Sequence, residues 1–106
     1  MMTFEITDSN IDTFLHEDKP QVIDFGTEWC GLCRTLIPVI EGLAAEYKGR
    51  INVDTCDAEE NNALATRYTI RNVPTLLFIR GGEVMERHVG MASVETLRGK
   101  FETLLP

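Results

Sequence analysis

Gln21 to Phe25 is a β-branched, mostly apolar run, the pattern of a strand covered on both faces. From Cys33 onward Leu36, Ile37, Ile40, Leu43, Ala44 and Tyr47 recur at three- and four-residue steps, marking an amphipathic helix that Gly49 stops. Ile51 to Cys56 then reads as a second strand. A strand, a helix and a strand in such close succession form a βαβ unit, because parallel neighbours need a crossover between them. Pro38 falls inside the helical pattern; lacking an N–H and clashing with the preceding turn, it is expected to bend the helix without ending it.

The flanking segments extend this unit. Thr3 to Ile6 alternates like a short strand, and Thr7 or Asp8 is placed to cap a helix carrying Ile11, Phe14 and Leu15, which Lys19-Pro20 ends. Glu59 and Glu60 suit the positive end of a further helix carrying Leu64, Ala65 and Tyr68, which stops before Pro74. Thr75 to Ile79 and Val84 to Val89 read as strands joined by Arg80, Gly81, Gly82 and Glu83, a hairpin signal that makes them antiparallel. Ser93 caps a last helix whose Val94, Leu97, Phe101, Leu104 and Leu105 form one apolar stripe despite the helix-weakening Gly99. The order β-α-β-α-β-α-β-β-α predicts an α/β fold, a mixed five-stranded sheet flanked by four helices on both faces, since each amphipathic helix needs a sheet face to cover. A chain of 106 residues has room for one core rather than two, so residues 1–106 read as a single domain.

With 43% hydrophobic and 25% charged residues the composition is that of an ordinary globular protein. The formal charge of −7 opposes a phosphate backbone, and no Lys/Arg stripe with interleaved aromatics appears, so nucleic acid is not an expected partner. No stretch approaches the ~20 apolar residues needed to span a bilayer, neither terminus carries a lipidation signal, and Glu5, Asp8 and Asp12 are foreign to a secretory leader. The expectation is a cytoplasmic protein without membrane attachment. Three cysteines, an odd number with two in a tight pair, are unlike the even, dispersed set of a disulfide-stapled domain, which directs attention to their chemistry.

Cys30 precedes the long helical pattern, where unpaired backbone N–H groups and the macrodipole favour negative charge and so stabilise a thiolate. Thiolates attack disulfides, and Cys33 lies one helical turn further on, close enough to displace a mixed disulfide internally. Asp24 is the anomaly in its apolar strand: burial there makes ionisation costly and raises the proton affinity of the carboxyl.

Asp24-Phe25, Trp29-Cys30-Gly31 with Cys33-Arg34, Pro38, Tyr68, Val73-Pro74-Thr75, Gly82 and Gly90 together resemble the thioredoxin family over nearly the whole chain. The resemblance implies a thioredoxin fold and a protein-disulfide reductase. In its dithiol cycle Cys30 attacks the substrate, Cys33 releases it, and a thioredoxin reductase, commonly NADPH-dependent, restores the thiols. It implies Asp24 as proton acceptor for Cys33, a cis-proline loop at Val73-Pro74 whose backbone pairs with an extended substrate, and a shallow apolar docking surface of Trp29, Gly31, Leu32, Val73, Gly90 and Met91. It calls for no bound cofactor beyond the redox-active Cys30-Cys33 disulfide and no metal; a monomer is expected, although the sequence itself does not fix the oligomeric state.

Three positions depart from the family. Leu32 stands where thioredoxins commonly carry proline, which loosens the active-site turn; a potential less reducing by on the order of 30 mV is expected. Thr55 stands at the position of a lysine that accompanies the aspartate in many members. Gly26 replaces a larger side chain and is expected to open the surface near Cys30.

Other readings of the same residues stay open at this point. A CxxC also forms half of a tetrahedral zinc site, for which only Cys56, His16 and His88 remain as further ligands. Cys56 is most simply a small buried hydrophobe in a strand, with redox regulation as the other option; His16 and His88 are isolated. Asp24 at a strand end would be solvated, Trp29 and Met91 would serve equally as core residues, Pro74 as a trans proline and Gly90 as a turn glycine. At the level of function, disulfide donation or isomerisation, and a binding module using the Trp29–Val73 groove without turnover, compete with disulfide reduction.

Overall fold

The computed structural model describes residues 5–106. Its spine is β1 (Gln21–Gly26), whose first five residues are all buried. It pairs in parallel with β2 (Asn52–Asp57) on one side and antiparallel with β3 (Thr75–Arg80) on the other. β4 (Glu83–Val89) closes the far side antiparallel to β3, giving the order β2-β1-β3-β4. Gly81 and Gly82 turn this hairpin with φ of +61° and +80°, a region that side-chain-bearing residues avoid.

Alternation along β1 feeds two cores. Val22 joins Leu76 and Phe78 of β3 beneath Leu36, Ile40 and Leu43 of α2 (Gly31–Glu46) and Leu97, Phe101 and Leu104 of α4 (Val94–Leu104). Ile23 and Phe25 face the other way, onto Ile11 and Phe14 of α1 (Ile11–Leu15) and Leu64 of α3 (Asn62–Arg67). Each such side chain contributes roughly 1.5–3 kcal/mol when fully buried. The helices therefore cover both faces, two to a side.

The expected fifth strand is not found. Residues 3 and 4 of the proposed Thr3–Ile6 strand lie outside the described residues. Its other half forms only an isolated parallel bridge between Glu5 and Thr55, with Ile6 N–H donating to Thr55 O at 2.7 Å. Thr7 O then receives the N–H of both Asn10 and Ile11, which turns the chain into α1 and off the sheet edge. Among the described residues the sheet has four strands.

Two helix starts also differ from expectation. Asn10, not Thr7 or Asp8, is the N-cap of α1, while Thr7 Oγ1 receives the N–H of Ser9 and Asn10 in the turn before it. Glu59 and Glu60 precede α3, their own N–H groups donating to Asp57 Oδ1. By contrast Ser93 caps α4 through its hydroxyl, which accepts the Thr96 N–H at 3.1 Å. α2 runs through Pro38 to Glu46. α1 is closed from outside: buried Gln21 sends its Nε2 to Phe14 O at 2.8 Å, satisfying a carbonyl at the helix end.

Candidate active site

α2 starts at the carboxyl end of β1, so the βα turn delivers Cys30 to the helix mouth. Cys30 is its N-cap, in extended conformation at φ −86° and ψ 110°, and its Sγ receives the backbone N–H of Cys33 at 3.1 Å. That N–H is one of the donors a helix leaves unpaired at its start, so a thiolate at Cys30 would sit on a hydrogen bond and at the positive end of a 16-residue helix. The two cysteines have Cα atoms 5.2 Å apart and are joined in a disulfide. Cys30 is half-buried and Cys33 is buried, which makes the first sulfur the accessible one.

A second loop meets Cys30 from β3. Cys30 Sγ lies 4.0 Å from the Val73 carbonyl oxygen, the Val73-Pro74 peptide bond is cis, and Pro74 O accepts the Gly90 N–H at 2.8 Å. Gly90, at φ +92°, occupies the left-handed region that favours glycine, and His88 reaches over the same turn to Met91 O at 3.2 Å. Trp29 is 69% exposed, Leu32 55% and Met91 40%, so none of them is a core residue. Large apolar side chains exposed beside a reactive sulfur are what a docking surface requires.

Behind the dithiol a cavity of about 630 Å³ is shared by Asp24, Gly26, Thr27, Cys33, Thr55 and Cys56. Asp24 is 3% exposed and its Oδ1 has no hydrogen-bond partner among the described residues; burial pushes its carboxyl up to about 7. A Cβ built on Gly26 would stand 3.2 Å from both Cys33 Cβ and Cys33 Sγ. The missing side chain therefore makes room against Cys33, inside the fold, rather than on the surface beside Cys30. Cys56 is buried in β2, and desolvation followed by the nearby Asp8, Glu5 and Asp57 carboxylates pushes its thiol up to about 12, away from thiolate chemistry.

Sequence reasoning missed two contributors. Thr27 carries a buried hydroxyl without a partner on the cavity wall, and Arg87 of β4 donates to the Tyr68 and Thr69 carbonyl oxygens at the end of α3, tying down the segment that leads to Val73. Neither lies in a motif. His16, at the end of α1, contacts Asp12 O, and His88 is engaged with Met91 O, so the zinc reading gathers no ligands: no group of three or more His, Cys, Asp or Glu residues among the described residues is placed to hold a metal ion. No helix among the described residues is long and apolar enough to cross a membrane.

A dithiol at a helix mouth, one sulfur presented and one shielded, set in an α/β sheet next to a cis-proline loop, defines a thiol-disulfide oxidoreductase. A family model for thioredoxin matches residues 2–103. The chain is 44% identical over 100 residues to a thioredoxin of Chlorobaculum thiosulfatiphilum, spanning 93% of each chain. It is 43% identical over 100 residues to thioredoxin 2 of Chlorobaculum tepidum, spanning 93% of this chain and 92% of that one. To a thioredoxin of Staphylococcus aureus it is 34% identical over 97 residues, spanning 92% of each. The chain belongs to the thioredoxin family.

Proposed function

We propose that this protein reduces disulfides in other proteins, with Cys30 as nucleophile, Cys33 as resolving thiol and Asp24 as proton acceptor. The Cys30 thiolate attacks one sulfur of the target disulfide, forming a mixed disulfide and expelling the target's other thiolate. Cys33 then loses its proton to the Asp24 carboxylate and attacks Cys30 Sγ. The Cys30–Cys33 bond forms, the mixed disulfide breaks, and the target leaves with both sulfurs reduced. The single observation that carries this reading is Cys30 Sγ receiving the Cys33 N–H at the start of α2, which favours the thiolate at the exposed sulfur.

Trp29, Gly31, Leu32, Val73, Pro74, Gly90 and Met91 form the docking surface in this reading, and the Val73 carbonyl pairs with extended target backbone. Two electrons from a thioredoxin reductase return the disulfide to the dithiol, with no bound cofactor or metal. Residues 1–106 act as a single domain and as a monomer in the cytoplasm, a setting supported by the odd cysteine count with two in a tight pair and by the reducing chemistry.

The test is reduction of a model protein disulfide with a dithiol or a reductase as donor. Cys30→Ser is expected to abolish turnover, and Cys33→Ser to accumulate a covalent adduct with the target, because the first attack proceeds and the release does not. Turnover surviving in Cys30→Ser would overturn the assignment.

A further inference from the structure

The cavity behind the dithiol has the makings of a ligand site in its own right. Its volume of about 630 Å³ is in the range that holds small organic molecules. The lining includes Ile37, Cys56 and Gly26 and is mostly apolar, so most of an occupant would meet apolar surface. Two acceptors at the wall have nothing to accept: Asp24 Oδ1 and Thr27 Oγ1 are both buried without a hydrogen-bond partner among the described residues. A buried polar atom left unpaired costs roughly 1–3 kcal/mol, which a donor entering the cavity would recover.

Charge selects the donor. Glu5, Glu28 and Asp57 join Asp24 on the lining, against one cation among the described residues, Arg34, whose Nη1 donates to Glu28 O at 2.6 Å. An anion is repelled by this arrangement, and a neutral donor leaves the carboxylates uncompensated. We propose that the cavity binds a small primary ammonium compound with an apolar body, its nitrogen shared between the Asp24 carboxylate and the Thr27 hydroxyl. Three N–H groups on one nitrogen are enough to serve both acceptors, and the apolar body covers Ile37 and Cys56. In terms of the function proposed above, an occupant holds Asp24 in its ionised form beside Cys33 and so links disulfide release to a small-molecule effector; the binding itself does not depend on that reading.

Benzylammonium chloride is a suitable probe, with benzyl alcohol as its neutral counterpart. Amide shifts of the oxidised, isotope-labelled protein are followed at about pH 8, so that binding is read without any turnover. Benzylammonium is expected to produce saturable shifts at Gly26, Thr27, Cys33 and Cys56. Its Kd is expected to rise at least about tenfold, equivalent to ~1.4 kcal/mol, in Asp24→Asn, with a smaller rise in Thr27→Val. Benzyl alcohol is expected to bind at least about tenfold more weakly than the amine. Equal affinity of benzylammonium for wild type and Asp24→Asn, or shifts confined to Glu5, Glu28 and Asp57, would overturn the proposal. Either result leaves disulfide reduction untouched, and loss of disulfide reduction leaves the binding result standing.

Discussion

Leu32 is the second residue of α2, 55% exposed, at a level of the helix where backbone N–H groups have no intrahelical acceptor. Proline there sacrifices no hydrogen bond and narrows the unfolded ensemble, so Leu32→Pro is expected to raise stability by about 0.4–1 kcal/mol in urea titrations. It also stiffens the turn between the sulfurs, and the reduction potential, measured against a glutathione buffer, should become more negative by on the order of 30 mV. An unchanged potential would show that the turn is held by its surroundings. Gly26→Ala tests the opposite side of the same pair. The new Cβ meets Cys33 at 3.2 Å, and Cys33 can swing aside only when its sulfur is not tethered to Cys30. The oxidised form is therefore penalised, and the potential should rise by on the order of 15–30 mV, equivalent to ~1 kcal/mol across two electrons. The sulfur pair and the odd carboxylate of Asp24 were legible from residue type and spacing. The place of Gly26 was not, because which side chain approaches a strand residue from another element is a tertiary fact with no trace in local pattern.

At the scale of elements, periodicity was the reliable guide. α2 and α4 have long apolar stripes and a recognisable cap at Ser93, so their existence, and nearly their limits, followed from the pattern. α1 and α3 span five and six residues, so their short apolar patterns revealed the helices but not their starts, and their ends are satisfied by distant partners. Asp8 illustrates the consequence. Placed in sequence to cap α1, it instead accepts the Leu64 N–H of α3 at 3.0 Å, while its own N–H donates to Asn61 Oδ1 at 2.9 Å. This reciprocal pair clamps the segment before α1 to the start of α3, on the sheet face opposite α2 and α4. Asp8→Ala removes the acceptor and strands the Leu64 N–H, so a loss of about 1–2 kcal/mol is expected, as for other caps. Hydrogen exchange would place it: protection should fall at Leu64 and in α1 with little change in α4. The short strand at the amino end failed for a related reason, since a strand is defined by its pairing and the chain leaves the edge of β2 after Ile6.

The whole molecule carries the cost of its site in its pH dependence. Asp24 is buried in the middle of the sheet on the face covered by α2, and burial lifts its carboxyl from an ordinary 3.8 to about 7. Below about pH 4 the group is protonated in both folded and unfolded chains and contributes nothing to the balance. Between about pH 4 and pH 7 the unfolded chain releases its proton while the folded protein keeps it, so stability falls as pH rises through this window. Above about pH 7 the full penalty is in place, a buried charge worth on the order of 4 kcal/mol at 1.36 kcal/mol per pH unit. Asp54, buried on the other face and raised to about 6 by the same desolvation, adds a fall of the same sign within that window. Asp24→Asn removes the ionisation while keeping the size of the side chain, and its effect on unfolding free energy should therefore change with pH: near zero at about pH 4, and a stabilisation of several kcal/mol at about pH 8. Urea unfolding of wild type and variant across that range measures it, and a pH-independent difference would mean that Asp24 is not held protonated by the fold. If Asp24 accepts the Cys33 proton as proposed, the same variant should also slow substrate release at about pH 8, where the carboxylate is ionised. A gain in stability together with a loss of turnover from this one substitution is the outcome expected if the unfavourable charge is kept in the core for the proposed release step.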